Sequence, residues 1–362
     1  ADMELNDLAN YEKTEKILKR FVLDHHPDDQ DAILALGDTY LEWGTEKEPE
    51  QLKNAYERYS YAIHRFGENN RNLAGMMKYF VRTDNLREVL KIKPRFMNDP
   101  SSLSSVEWSE MGGFLLDKLY GPLPPSDEFM RGRIEDMKTV LKNAIDRDSS
   151  NPVAQYNMGR YYVNRSSPIE AKKALDAALK AFGNTNIIKK KDLYKYVDSY
   201  RLAGEVSASS KEFITARENY TDGITLFRNF AENSGLEPDA NVGKLYADMA
   251  DIDYYISGDM DSALNNYETS IEYGNDVAQT RYKVGYIQYG KQNFDKAVHS
   301  FMKASDDYPD DMNLLMAMGN TLSMKGDNYT ALGYYEKLLN KLSGNKGKHG
   351  FLQPQLRSDD AQ

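Results

Sequence analysis

The five histidines, His25, His26, His64, His299 and His349, are the first candidates for metal binding or proton transfer. A helical zinc site sets two imidazoles four residues apart on one face, and no pair here has that spacing. His25 and His26 precede Pro27 at a helix end, where a cation suits the dipole. Cysteine is absent, which removes disulfides, thiolate ligands and cysteine nucleophiles. Carboxylates cluster at Asp28-Asp29-Gln30-Asp31 and at Asp306-Asp307 with Asp310-Asp311. Each cluster flanks a proline between two helical segments, which suits capping of the following helix. A calcium loop needs Asp-x-Asp-x-Asp-Gly and a distant Glu, and neither cluster supplies them. Gly344-Asn345-Lys346-Gly347-Lys348 lacks the spacing, the following hydroxyl residue and the preceding strand of a phosphate loop. No nucleophile elbow, dinucleotide fingerprint or kinase set occurs. The expectation is a chain that is not an enzyme, with no catalytic residue, no metal and no cofactor.

Tyrosine is the residue in excess, with 26 copies against 2 of Trp. Tyr-rich helices either fill a core or form an amphipathic contact surface. The net charge of −10 and predicted pI near 5.2 disfavour nucleic acid as a partner. The basic run Lys189-Lys190-Lys191 reads as a solvated helix entrance. No run of 18 apolar residues occurs, so no segment is expected to span a membrane. Ala1-Asp2-Met3-Glu4-Leu5 shows no signal-peptide pattern, and the absent initiator Met leaves a removed leader or a trimmed chain open. At 362 residues the chain exceeds the ~250–300 residues of a single core, so it is built from domains or by repetition.

Repetition is plain in the C-terminal half. Val284-Gly285 is followed by Ala297, Phe301, Ala304 and Pro309. Thirty-four residues on stand Met318-Gly319, Ala331, Tyr335 and Leu338, and 34 back from Ala297 stands Ala263, with Tyr267 and Ser270. The spacing describes paired helices that cross where a small residue lies on each, with a large side chain filling the space beyond. Polar turns such as Lys325-Gly326-Asp327-Asn328 join the two, and Pro309 stops the second. Uninterrupted copies occur at Met158-Gly159-x2-Tyr162 with Ala171 and Leu175 and at Ala203-Gly204 with Ala216 and Tyr220, and copies with insertions at Leu36-Gly37-x2-Tyr40 with Ala55, Tyr59 and Ala62 and at Trp108-x2-Met111-Gly112.

This pattern resembles the tetratricopeptide repeat. The resemblance implies an all-α, right-handed superhelical solenoid of about eight helical hairpins. We divide it into a capping helix (1–26), irregular repeats with insertions (27–150), regular repeats (151–343) and, where the pattern ends after Leu342, a mobile tail (344–362). Asp251 stands where Gly is usual, so that hairpin is expected to cross less closely or to turn its Asp outward. Residues 71–97 resemble a repeat only loosely.

In this family the first helices of successive hairpins line a groove for a partner segment. Carried over by position, the groove residues are Tyr282, Tyr286 and Tyr289; Met316, Asn320 and Ser323; Asp248, Ile252 and Tyr255; Arg201, Glu205 and Ala208; and Tyr156, Arg160 and Val163. For the three C-terminal tyrosines, core and contact surface are both open, and helical spacing favours contact. The chaperone carboxylate clamp is not expected, since Asn157, Arg201 and Asn320 lack its companion residues. The implied function is a scaffold or adaptor for protein partners, with the Pro-rich insertion at 120–128 as a second surface and homo-oligomers possible. The alternative is a small-ligand-sensing or lipid-carrying accessory of a transporter. In style the chain is also similar to spirochaete periplasmic repeat proteins of the flagellar collar. That similarity and the lack of cysteine suggest a periplasmic setting, with a cytoplasmic one as the alternative.

Overall fold

A computed structural model describes residues 7–122, 124, 131–132, 136–185, 190–234 and 239–344. Most of the 120–128 insertion, Lys189, part of the link before Pro238 and the expected mobile tail from 345 onward lie outside these residues. Among the described residues there are seventeen α-helices and no strand. The chain divides into two compact units, 1–206 and 207–362.

Unit 1 contains α1 (Asp7–Ile17), α2 (Gln30–Glu46), α3 (Gln51–Phe66), α4 (Asn70–Arg82), α5 (Leu86–Asn98), α6 (Ser105–Tyr120), α7 (Met137–Arg147), α8 (Pro152–Asn164), α9 (Pro168–Gly183) and most of α10 (Lys190–Ser209). Unit 2 holds the end of α10, then α11 (Phe213–Ser234), α12 (Ala240–Ile252), α13 (Met260–Glu272), α14 (Ala278–Gly290), α15 (Phe294–Asp307), α16 (Met312–Lys325) and α17 (Asn328–Gly344). Among the described residues seven consecutive helix pairs pack together: α2/α3, α4/α5, α6/α7 and α8/α9 in unit 1, and α12/α13, α14/α15 and α16/α17 in unit 2. Helix α10 spans the boundary between the units.

Helix starts are written in side chains that satisfy the free N–H groups of the first turn. Asp29 accepts from the Ala32 amide at 3.0 Å, and Asp311 from those of Asn313 and Leu314 at 2.9 and 3.0 Å. The two acid clusters thus serve as caps, and Asp28 and Asp310 pair with Arg65 and Lys341. Ser104 and Glu107 form a reciprocal capping box at α6. The crossings depend on small residues as the spacing requires. A Cβ on Gly319 would lie 2.6 Å from the Tyr335 ring, and one on Gly159 2.6 Å from Leu175. Helix α4 also obeys this rule, since Gly75 faces the Tyr59 ring of the preceding hairpin. Helix α1 runs on as π-helical turns over Leu18–Leu23. It is tied to α2 by Tyr11 donating to Glu46 and Tyr40 donating to Glu15, each at 2.7 Å.

One register expectation is corrected. A π-turn at Asp253–Ser257 follows α12 and closes on Gly258 at φ 67°. A π-turn holds one residue more than an α-turn. The small position is therefore Ala250, fully buried against Tyr267, one residue earlier than the 34-residue count places it. Asp251 moves to the next position and Ile252 turns into the core at 7% exposure. Asp253, inside the π-turn, is buried and accepts from Arg217 and from Asn266.

Candidate functional site

The first helices of each unit present side chains on either side of the small position. In unit 1 these are ionic. Helix α2 presents Asp38 and Glu42, α4 presents Lys78 and Arg82, and α6 presents Glu110 and Asp117. Lys78 pairs with Asp38 at 2.5 Å. Arg82 bridges Glu42 at 3.4 Å and Glu110 at 2.8 Å. Arg160 on α8 reaches back to Asp117 at 2.5 Å, and Tyr156 donates to Asp198 on α10 at 2.8 Å. Arg201 is held by Asp198 at 2.7 Å and by Glu205 at 3.0 Å. The sign alternates from one first helix to the next over α2, α4 and α6. Burial alone would lower the Arg82 pKa, but Glu110 and Glu42 outweigh it and raise it. A pocket of about 120 Å³ opens among Asp38, Leu41, Glu42, Lys78, Arg82 and Glu110. That is well below the roughly 300–1,000 Å³ of small-molecule sites, and its lining is ionic, which does not suit a lipid.

In unit 2 the same face is aromatic. Tyr255 is 43% exposed and Met316 39%. Tyr286 and Tyr289 are half-buried, with ring edges packed on Phe301 and Phe294. Asn320 is exposed. Its side-chain oxygen accepts from the Tyr335 hydroxyl at 2.8 Å, which turns the amide NH2 away from that contact as a donor. Lys283 is paired with Asp251 and stands 5.7 Å from the Tyr255 ring centroid and 5.5 Å from that of Tyr267.

The expected site residues therefore separate. Tyr255, Tyr286, Tyr289, Met316 and Asn320 lie on one face of unit 2. Tyr282 departs from the expectation of contact surface. It is 2% exposed, belongs to the core with Phe301 and Met318, and donates to the Tyr286 hydroxyl at 3.2 Å. Burial, then the bond to Tyr286, raises its pKa. Tyr156 is likewise buried, with its pKa raised by burial and then by Asp198. Arg160 and Arg201 are on the face of unit 1, but their guanidiniums are already paired. The positional rule counts residues along a helix and does not register whether a neighbour has already satisfied the group.

Sequence reasoning missed a node that both units build. Tyr59 donates to Asp38 at 2.6 Å and Lys78 of the next first helix pairs with the same oxygen. Tyr267 donates to Asp251, and Lys283 pairs with it from the next first helix. A carboxylate thus fastens its own second helix and the following hairpin at one point. The signal was present. Where the second-helix residue carries a hydroxyl (Tyr59, Tyr267, Tyr335), the residue after the small position is an acceptor (Asp38, Asp251, Asn320). Where it is Phe301 or Leu175, that residue is Tyr286 or Arg160.

No family model matches the chain, and no curated protein matches it. Among solved structures, it is similar to PilF of Pseudomonas aeruginosa, with 12% identity over 67% of this chain and 95% of that one and a TM-score of 0.50. It is also similar to Cut9 in the APC/C hetero-tetramer Cut9–Hcn1, with 13% identity over 95% of this chain and 62% of that one and a TM-score of 0.47. A third similarity is to YrrB, described as a tetratricopeptide-repeat protein with an unusual peptide-binding site, at 16% identity over 55% and 91% with a TM-score of 0.42. At these identities the likeness concerns the fold alone, and the PilF match carries it. The chain has the all-α helical-hairpin fold of tetratricopeptide-repeat proteins.

Proposed function

We propose that the protein is an interaction scaffold that receives a segment of a partner protein on the first-helix face of unit 2. The observation that carries this reading is the set Tyr255, Tyr286, Tyr289 and Met316, which keep ring and thioether surface in water beside the amide donor of Asn320. Tyrosine and methionine offer large apolar area with adaptable packing, and such groups dominate the energetics of interfaces. The matching segment carries apolar side chains on one side and a backbone carbonyl within reach of Asn320. The YrrB description names a peptide-binding site in a protein with similar hairpins, and we extend peptide capture to this chain as part of the proposal. The finer setting we propose is a periplasmic assembly, on the lack of cysteine and the style of the sequence. Fractionation of source cells tests it, and a purely cytoplasmic protein would overturn it. The three structures described above lend no support to a flagellar-motor setting.

Crosslinked capture from source cells tests the scaffold reading with three forms of the full chain. These are the native chain, a Tyr286→Ser, Tyr289→Ser, Met316→Ser variant, and an Arg160→Ala control. A partner held by the native chain and the control but lost from the triple variant supports it. Equal capture by all three forms moves the contact away from unit 2.

A further inference from the structure

The last hairpin is less covered than the one before it, position by position. Ser300, Phe301 and Ala304 of α15 are buried, while their equivalents 34 residues on, Tyr334, Tyr335 and Leu338 of α17, are half-buried. Val298, Ser305 and Tyr308 are half-buried, while Leu332, Leu339 and Leu342 are 55%, 63% and 54% exposed. Every step is a loss of cover in the same direction. What covers α15 is α16, which packs on it through Leu314, Ala317, Met318 and Leu322. Nothing occupies the corresponding place over α17 among the described residues.

The 34-residue period does not stop where its glycine stops. Phe351, Leu352 and Leu356 stand 34 residues after Ala317, Met318 and Leu322, the residues by which α16 buries α15. Within 343–362 they are the large apolar residues. Gln353 takes the place of Gly319, and Pro354 that of Asn320. A proline at that place departs from the first-helix pattern of the repeat. The seven residues from Gly344 to Phe351 span up to ~23 Å when extended. Ten helical residues from Leu342 back to Leu332 need only ~15 Å.

We propose that residues 351–356 dock on the outer face of α17, in the place that α16 takes over α15. Phe351, Leu352 and Leu356 cover Leu332, Leu339 and Leu342. An array whose last hairpin is bare offers that face to other copies, so this segment also limits self-association. The surface is separate from the Tyr286–Met316 face, and the inference stands or falls without it.

The native chain has no cysteine, so a Leu339→Cys, Leu352→Cys double variant of the full chain carries two unique thiols. A short bismaleimide is expected to join them within one molecule, with a yield that does not change on tenfold dilution. In a second variant, Phe351→Ser, Leu352→Ser, Leu356→Ser, amide exchange over residues 331–343 is expected to rise about tenfold, as for a helix that has lost a packed neighbour. Crosslinks formed only between molecules would overturn the proposal in favour of a second copy on α17. Absence of any crosslink, or unchanged exchange in the triple serine variant, would overturn it in favour of an undocked segment.

Discussion

The first-helix faces of the two units share a scaffold and differ in how their side chains are satisfied. In unit 1, Asp38, Lys78, Arg82, Glu110, Asp117 and Arg160 bind one another from helix to helix. A partner arriving there would have to offer more than the internal pairs it displaces. In unit 2, Tyr255, Tyr286, Tyr289 and Met316 have no such internal saturation, because an apolar surface half in water gains from any cover. An equivalent position is therefore a lock in one unit and an open surface in the other. Charge on a repeat face is weak evidence of a binding site until its partners are known.

The comparison breaks most severely if Tyr282 behaves as surface. Its ring is buried beside Phe301 and Tyr286, so Tyr282→Ala is expected to destabilise unit 2 by about 3–4 kcal/mol, as for other buried aromatics. Tyr289→Ala, at a half-buried position, is expected to cost about 1 kcal/mol. Urea unfolding followed by amide exchange of α14 reads both. Equal costs would mean that the two tyrosines share one environment.

Arg82→Met tests the ladder at its most connected point. The variant keeps the aliphatic stem but leaves Glu42 and Glu110 facing each other without their common cation. Removing one partner from a shielded ion pair is costly, and the partial exposure here brings the expected loss to about 2 kcal/mol. Adding Glu110→Gln to Arg82→Met is expected to recover part of that loss, since a neutral amide no longer opposes Glu42. A double variant as unstable as the sum of the two single ones would show that the charges do not communicate and that the ladder is only a surface decoration.

Much of this fold could be read in the sequence, for a stated physical reason. Close crossing demands a small residue, and Gly285 and Gly319 mark it at a fixed distance from Phe301 and Tyr335. The period failed at residues 253–257 because counting assumes uniform α-turns, and a π-turn that absorbs one residue leaves no composition signal. The open face of unit 2 was legible as a stripe of tyrosines, but the burial of Tyr282 was not. Its ring and that of Tyr286 are four residues apart on one helix face and both pack on Phe301, so spacing alone does not mark Tyr282 as the covered one. The ladder of unit 1 was visible as charges but not as pairs, since each partner lies on another hairpin 28 to 43 residues away.

The node common to both units gives the comparison its internal control. Tyr59→Phe and Tyr267→Phe each delete one hydroxyl while Lys78 and Lys283 remain to satisfy Asp38 and Asp251. Each is expected to cost about 1 kcal/mol near neutral pH, the usual net worth of one hydrogen bond. Their pH dependence has a fixed sign. Burial, then the adjacent carboxylate, raises both phenol pKa values above the usual 10. The folded state thus holds the proton more tightly than the unfolded chain, so this stabilisation is fully present below pH ~10 and is lost as the pH climbs through the folded-state pKa. Replacing either tyrosine removes that alkaline loss in its own unit, so native and variant stabilities converge above pH ~10. Urea midpoints measured from pH 8 to 11 check the slope. Because the same three residue types make the node in both units, the two variants should match in size and slope. A marked difference would show that the neighbouring ladder or the neighbouring rings, and not the Tyr–Asp–Lys contact itself, set the strength of the joint between hairpins.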